Sequence, residues 1–597
     1  MRLYKLCYNV LMTKRKWIPV ICIFLFSLLI RTFMLDKIPT GVSDDEMLYF
    51  TSSRSFFYSS LHMLERLPFF SNLNFRNHIA LPNGQTPYML LAPYYGLFPY
   101  SMFMARFPYA FMGSLFVVII FLFSKKLFGY RVGIIVALLT AINPWSVFFS
   151  RTAYESPVAM YFAYLMLLLL LYAESWYIVF LFGFYILSFY SYIGTKLILP
   201  FFSAFSIFYV WLKHNKRWTQ YYLLLLLGII TSFSLYLIYL PNNIDNRRMN
   251  ELLSPATTKI VNSVNFYRKQ AIQTPLASVF INKYLETGSI FMQQYVNAFS
   301  PEFLFIKGEG SSRYSLWFHG LFYLIDIVFL LIGIYVIFRK HKKEGLLLLC
   351  LTLIAPLPSA IHYSDTQYVL RSSFLYPILL VYIGYVIFWT TQAFNKRYIS
   401  TGIIIIYLIS FLNFAYIYIM RNPISNYDSF GVSGRVLSYY ILFAEKYKYN
   451  IQVLSHGANV NLAKQYLFFG KKYNITNYAK IAGLFQNPSI SMNYVRFVDC
   501  KDAQLGVNTI TVIPFNLSCI DQKLPITYTS ITDISNNQPI YQIYNDKICS
   551  KYNLLPYLYN IQLQDFNIEN LSEKRFCEKF FTRDAGFPTT TSNALLN

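Results

Sequence analysis

The sequence predicts a polytopic α-helical membrane protein followed by a C-terminal soluble α/β domain, and three observations predict it. Of 597 residues, 56% are hydrophobic and only 13% are charged. A soluble domain carries roughly a quarter charged residues, enough to cover a water-facing surface; this chain does not. Apolar runs near the length that crosses about 30 Å of hydrocarbon recur along residues 1–420. Beyond residue 420 the long runs give way to short alternating ones, the period of half-buried strands.

The apolar runs, in order, are 17–35, 103–124, 131–149, 156–173, 175–193, 196–212, 219–240, 316–338, 345–361, 372–390 and 399–419, about eleven transmembrane helices by length and hydropathy. Lys14-Arg15-Lys16 precedes the first run and no small-x-small cleavage site follows it, so the run reads as a span rather than a removed signal peptide. Aromatics reach 19%, as interfacial belts require.

The net charge of +24 raises the question of nucleic acid, which its placement answers. Lys14–Lys16, Lys125-Lys126 with Arg131, Lys213–Arg217, Arg339–Lys343 and Lys396-Arg397 are short tracts between apolar runs. They fall on one side by parity, as topology signals do, and form no phosphate-binding face. The N-terminus is then inside and the C-terminus outside, with outer loops 36–102 and 241–315. Within the first loop, Ser55–Leu67 and Tyr88–Leu97 are too short or too polar to span and read as interfacial helices.

The predicted domains are therefore 1–420 in the membrane and 421–597 outside it. In the second, Ile451–Leu454, Tyr494–Val498, Thr509–Ile513 and Ile540–Ile543 read as strands and Val460–Phe469 as a helix. Cys500, Cys519, Cys549 and Cys577 all lie here, and in an oxidising compartment four cysteines allow three disulfide connectivities. No CxxC is present to suggest zinc.

Ser43-Asp44-Asp45-Glu46-Met47-Leu48-Tyr49, just beyond the first run, is the most informative stretch. Three consecutive carboxylates beside a bilayer crowd one another and are costly to desolvate. They read either as a solvated acidic loop or as a general base toward a hydroxyl. Glu155 stands at the equivalent depth after the third run, either as a helix-turn partner of Arg151 or as a second acid of the same site. Arg106, Lys196 and Arg371 are positive charges on the outer side, against the inside rule. They either snorkel to the interface or neutralise a lipid phosphate.

In this order these residues resemble the GT-C class of membrane glycosyltransferases. The branch is that of the protein O-mannosyltransferases and the lipid A aminoarabinose transferase, of bacterial type. The matching pieces run from Arg31 through Ile38-Pro39, Asp45-Glu46 and Tyr49, Arg106-Phe-Pro with Gly113, and Lys126-Leu-Phe-Gly129. They continue with Asn143-Pro144, Ser150-Arg151, Glu155, Tyr190-Ser-Tyr192, Lys196, Ser300-Pro301 to Gly308, Arg313, Gly320, Pro356-Leu-Pro358 and Arg371. The resemblance implies a GT-C-like fold in a bacterial inner membrane, and an inverting transfer of sugar from a polyprenyl-phosphate donor to a hydroxyl or phosphate acceptor. It implies Asp45 as base, with Asp44 leaving the register open by one, Glu46 beside it, and Glu155 where the family often has Asp. Arg106, Lys196 and Arg371 become donor-phosphate contacts, and Tyr49, Arg151, Tyr192 and His362 positioning residues. No cofactor is required by this chemistry, and a divalent cation at the first-loop carboxylates stays open. The implied partners are the lipid-linked sugar, a protein or envelope glycan or lipid acceptor, and the bilayer. The rivals are an O-antigen ligase or polymerase, a lipid-linked sugar flippase, and a non-catalytic member of the class.

Overall fold

The computed structural model describes residues 2–59, 85–172, 178–214, 219–239, 258–361, 369–394, 397–455, 460–503, 508–515 and 528–583, except 259, 273, 275, 311–312, 317, 486, 488 and 559. Contacts divide the chain into two compact units. One comprises Met1–Leu35, Glu65–Pro93 and Ala105–Tyr418; the other Asp36–Leu64, Tyr94–Met104 and Ile419–Asn597.

The first unit is helical. Among the described residues, six helices are long and apolar enough to cross a membrane: Met102–Phe128, Glu155–Tyr172, Thr195–Lys213, Lys342–Ala360, Leu375–Phe394 and Arg397–Ser425. A seventh span exists if Tyr130–Ile142 and Pro144–Ser150, bent by 60°, count as one. The chain is thus a multi-pass helical membrane protein; among the described residues six or seven spans meet this test, where hydropathy predicts eleven. The run 316–338 becomes helical only at Asp326–Lys340, because 318–325 is used in turns against other loops. Ile178–Phe189 is helical within the run 175–193, and Thr219–Tyr239 within the run 219–240. The first run does form a helix, Arg2–Thr32.

Physical reasons for the break at residue 143 are plain. Pro144 has no amide hydrogen to continue the preceding helix and is favoured in the first turn of a new one. Asn143 caps that new helix, its side chain accepting the Ser146 N–H at 3.0 Å and donating to the Leu321 carbonyl at 3.1 Å. On Arg397–Ser425, Ile404, Ile405, Leu408, Ile409 and Leu412 are all exposed, an apolar face that only lipid covers without penalty.

Close helix packing rests on small residues, as is usual where burial from lipid supplies no hydrophobic drive. A Cβ on Gly333 would lie 2.4 Å from the Tyr382 carbonyl oxygen, so the Asp326–Lys340 and Leu375–Phe394 helices touch backbone to backbone. Gly333→Leu is expected to cost about 1–3 kcal/mol by overpacking. Gly402→Ala, which meets no atom within 4 Å, should be neutral or gain up to about 1 kcal/mol from helix propensity. Thermal unfolding in detergent separates the two; equal shifts would refute the packing account.

The second unit contains a seven-stranded mixed sheet. Its strands are β1 (Asn450–Ser455), β2 (Ile490–Met492), β3 (Val495–Asp499), β4 (Thr509–Pro514), β5 (Tyr528–Thr532), β6 (Pro539–Tyr544) and β7 (Phe581–Arg583), in the order β2-β3-β1-β4-β6-β5-β7. β1 runs parallel to both β3 and β4, pairing Val453 with Phe497 and with Val512; the outer pairings are antiparallel. Ile451 to Ser455 are all buried, as befits a central parallel strand covered on both faces. The four predicted strands and the Val460–Phe469 helix are present; β2, β5 and β7 are additional. Cys549 is bonded to Cys577, and Cys500 is also disulfide-bonded.

Candidate functional site

In the unit with the sheet, the acidic stretch begins a helix, Asp44–Ser59. Ser43 and Glu46 form a capping box. The Glu46 carboxylate accepts the Ser43 N–H at 3.1 Å, and the Ser43 hydroxyl accepts the Glu46 N–H at 3.3 Å. Asp44, Asp45 and Glu46 all occupy the first turn, where the helix dipole favours negative charge. Their environments differ: Asp44 is exposed, Asp45 half-buried, and Glu46 and Tyr49 buried. Three adjacent acids therefore do not share one role. Arg54, further along, donates to the carbonyls of Tyr95 at 2.7 Å and Phe98, and lies 3.8 Å over the Tyr100 ring. It fixes the far end of this helix.

A charged group that sequence reading passed over lies in the same unit. Lys464, on the Val460–Phe469 helix, is 3% exposed. Burial pulls its ammonium down to about 8, and the charge of Asp44 opposes that pull. The available signal was a lysine inside a helix whose neighbours Leu462, Ala463, Tyr466 and Leu467 read as core.

In the membrane unit, Arg31 and Arg151 stitch helix ends together. The buried Arg31 guanidinium donates to the Ser27 hydroxyl at 2.6 Å, the Ser146 hydroxyl at 2.8 Å, and the carbonyls of Ala141 at 3.0 Å and Thr140 at 3.3 Å. Arg151 donates to the carbonyls of Ile30 at 2.9 Å and Arg31 at 3.0 Å, and to the Tyr418 hydroxyl at 3.1 Å. Carbonyls of a helix's last turn lack intrahelical partners, and cations are favoured there. Gly113 belongs to this cluster: a Cβ there would meet Ser150 at 2.2 Å and Arg31 Nε at 3.3 Å.

Three further segments of this unit converge. Ser156, next to the buried Glu155, donates to the Leu370 carbonyl at 2.9 Å and shares a hydrogen bond with Ser373 at 2.5 Å. The Tyr154 hydroxyl donates to the Arg313 carbonyl at 3.0 Å. Glu309 accepts the Val369 N–H at 2.8 Å, while the Ser315 hydroxyl accepts the Glu309 N–H at 2.8 Å. The turn bearing Glu155, the loop 309–315 and the segment bearing Arg371 are thus tied to one another. Arg106 is fully buried, Tyr192 buried, and Lys196 and Arg371 half-buried. His362 lies outside the described residues, as does Cys519.

Glu309 is the second residue that sequence reading missed. Burial pushes its carboxyl from 4.5 up to about 8, with the Val369 amide and Arg371 pulling the other way. An acid whose folded pKa is raised contributes stability that is fully present below its unfolded value and is lost as pH rises through the folded one. Thermal stability should therefore fall between pH 5 and 8, by about 1.4 kcal/mol per pH unit at most from this group. Glu309→Gln, which keeps an acceptor for Val369, should flatten that slope. A mutant slope equal to wild type would show that Glu309 does not titrate in this range.

Among the described residues, no group of three His, Cys, Asp or Glu side chains comes together as a metal site. The first-loop carboxylates do not form such a group, since one is spent on the capping box and the others face different surroundings.

No protein-family model matches the chain, and no curated protein matches it. Among solved structures, the chain is similar to ArnT from Cupriavidus metallidurans bound to undecaprenyl phosphate, at 12% identity and TM-score 0.46, over 88% of this chain and 98% of that one. It is also similar to the archaeal oligosaccharyltransferase AglB from Archaeoglobus fulgidus in complex with an inhibitory peptide and a dolichol-phosphate, at 12% identity and TM-score 0.45, over 90% and 75%. The Archaeoglobus fulgidus oligosaccharyltransferase in complex with zinc and sulfate matches at 11% identity and TM-score 0.45, over 88% and 73%.

Proposed function

We propose that the protein is an inverting membrane glycosyltransferase that moves a sugar from a polyprenyl-phosphate donor to a hydroxyl or phosphate acceptor outside the cytoplasm. The observation that carries this reading is the start of the Asp44–Ser59 helix. Directly after the first apolar helix, it presents consecutive carboxylates, one of which, Glu46, is held by its cap. A half-buried carboxylate beside a bilayer is suited to take a proton from a hydroxyl.

In this mechanism Asp45 removes the acceptor hydroxyl proton as the oxygen attacks the anomeric carbon. The bond from that carbon to the phosphate oxygen breaks with inversion, and the electron pair leaves with the lipid phosphate. For a phosphate acceptor, already ionised, no base is needed. Arg106, Lys196 and Arg371 are assigned to the leaving phosphate, where fixed positive charge stabilises the developing anion. Glu155, Tyr49, Tyr192 and His362 are assigned to positioning. Arg151 also carries the end of the first helix, so its loss would disturb structure and activity together.

The orientation has its N-terminus in the cytoplasm and residues 421–597 outside, as an extracytoplasmic domain beside a membrane domain 1–420. The basic tracts support it, and so does the disulfide between Cys549 and Cys577, since such bonds persist in oxidising compartments. The test is transfer by the purified full chain from a panel of polyprenyl-phosphate sugars, with mass analysis of the lipid product and the acceptor. Absence of lipid phosphate release with every donor would refute the reading.

A further inference from the structure

Between the Thr219–Tyr239 and Asp326–Lys340 helices the chain forms a helical hairpin whose surface does not suit water. Residues 260–270 make one helix and Lys283–Asn297 the other. Ile260 and Val264 pack against Ile281 and Ile290, and Arg268 Nε donates to the Ile281 carbonyl at 2.9 Å. The Asn282 side chain caps the second helix, accepting the Tyr284 N–H at 2.9 Å and the Leu285 N–H at 3.0 Å. That small core leaves large apolar side chains outside it. Ile272, Leu276, Phe280 and Tyr284 are 87%, 63%, 70% and 89% exposed. Along the second helix Leu285, Met292 and Val296 are also exposed. At about 100° per residue these three fall within about 40° of one another, on a stripe turned well away from Ile290.

Charge is confined to one end of the hairpin. Arg268, Lys269, Lys283 and Glu286 stand near the turn, while residues 287–297 carry none. The uncharged end is hooked onto a membrane span. The Tyr295 hydroxyl donates to the Leu353 carbonyl at 2.6 Å, and Leu353 lies within Lys342–Ala360, one of the helices long and apolar enough to cross a membrane. From Leu353 to the Ala360 end is about 10 Å at 1.5 Å per residue, so Tyr295 meets the span well inside it.

We propose that this hairpin is embedded in one leaflet of the bilayer. Lys283–Asn297 enters obliquely, its Leu285–Met292–Val296 stripe covered by acyl chains and its basic turn at the lipid headgroups. Three observations favour lipid as the partner. The bond to Leu353 holds the uncharged end at a depth occupied by hydrocarbon. The exposed stripe is continuous with that depth, and in water such a stripe is a liability. Three basic residues against one acid at the turn match the phosphates of a lipid surface. The inference is independent of the transfer reading. It brings into the bilayer part of the loop 241–315, which hydropathy leaves outside because neither helix is a long apolar run.

Spin-label accessibility on the full chain tests it. Leu285→Cys, Met292→Cys, Val296→Cys and, on the opposite side of the helix, Thr287→Cys are each made in a chain carrying Cys7→Ser, Cys22→Ser and Cys350→Ser. Each is labelled with a nitroxide in nanodiscs of phosphatidylcholine and phosphatidylglycerol. Collisions with oxygen, which concentrates in hydrocarbon, are compared with collisions with a water-soluble nickel chelate. The ratio of oxygen to nickel collisions should rise from Leu285→Cys through Met292→Cys to Val296→Cys, and at the last two it should exceed that at Thr287→Cys. Ratios at 292 and 296 no higher than at 287 would place the stripe in water and overturn the proposal. Low collision rates with both reagents along the stripe would also overturn it, since they mark cover by protein, whether a partner or a second copy of this chain.

Discussion

Asp45→Asn is expected to reduce kcat/KM for transfer to a hydroxyl acceptor by about 10²–10⁴-fold, the usual contribution of a positioned general base. The substitution keeps shape and removes basicity, and the helix keeps its Ser43–Glu46 cap, so the folded protein should accumulate at wild-type levels. Donor binding should change little, because the donor phosphate is assigned to Arg106, Lys196 and Arg371. Asp44→Asn is expected to act more weakly, through the surroundings of its neighbour. The decisive comparison is single-turnover release of lipid phosphate from wild type and the two variants. Full activity in Asp45→Asn together with loss in Asp44→Asn would shift the base by one residue; indifference to both would remove the mechanism.

Arg31→Met is expected to have the largest effect on stability, about 3–5 kcal/mol, the range seen when one partner of a buried charged network is removed. Arg31 joins Ser27 of its own helix to Ser146 and to the carbonyls that end Tyr130–Ile142. Water does not replace the lost donors at a position with no solvent exposure. Arg31→Lys should fall between wild type and Arg31→Met, since an ammonium cannot reach in two directions as a planar guanidinium does. Size-exclusion recovery and thermal unfolding in detergent measure both. An Arg31→Met protein melting within about 1 °C of wild type would contradict the assignment.

Both predictions concern residues that sequence reading had singled out, but for different reasons. Asp45 was marked by chemistry: consecutive carboxylates next to an apolar run are conspicuous in any chain. Arg31 was marked only by its place in an ordered resemblance, and three of its five hydrogen-bond contacts reach residues about 110 positions away that no local pattern connects. Arg151 was assigned to positioning, and its contacts include the carbonyls ending the first helix and the Tyr418 hydroxyl. Glu309 and Lys464 were missed because a lone acid in a loop and a lone lysine in a helix look solvated until burial is known.

What the sequence by itself determined was whatever is written in composition and short-range period. The apolar runs marked six single-helix spans and the bent seventh, the alternating runs marked β1, β3, β4 and β6, and Val460–Phe469 was readable as a helix. Asn143-Pro144 carried its break and cap in two adjacent residues. Tertiary structure alone decided how many runs become full spans, because a run such as 316–338 is equally apolar whether helical or folded into turns. It alone separated the three acids of the first loop. Glu46 is engaged by the cap at Ser43, while the three differ in exposure, which no pattern in three consecutive acids reveals.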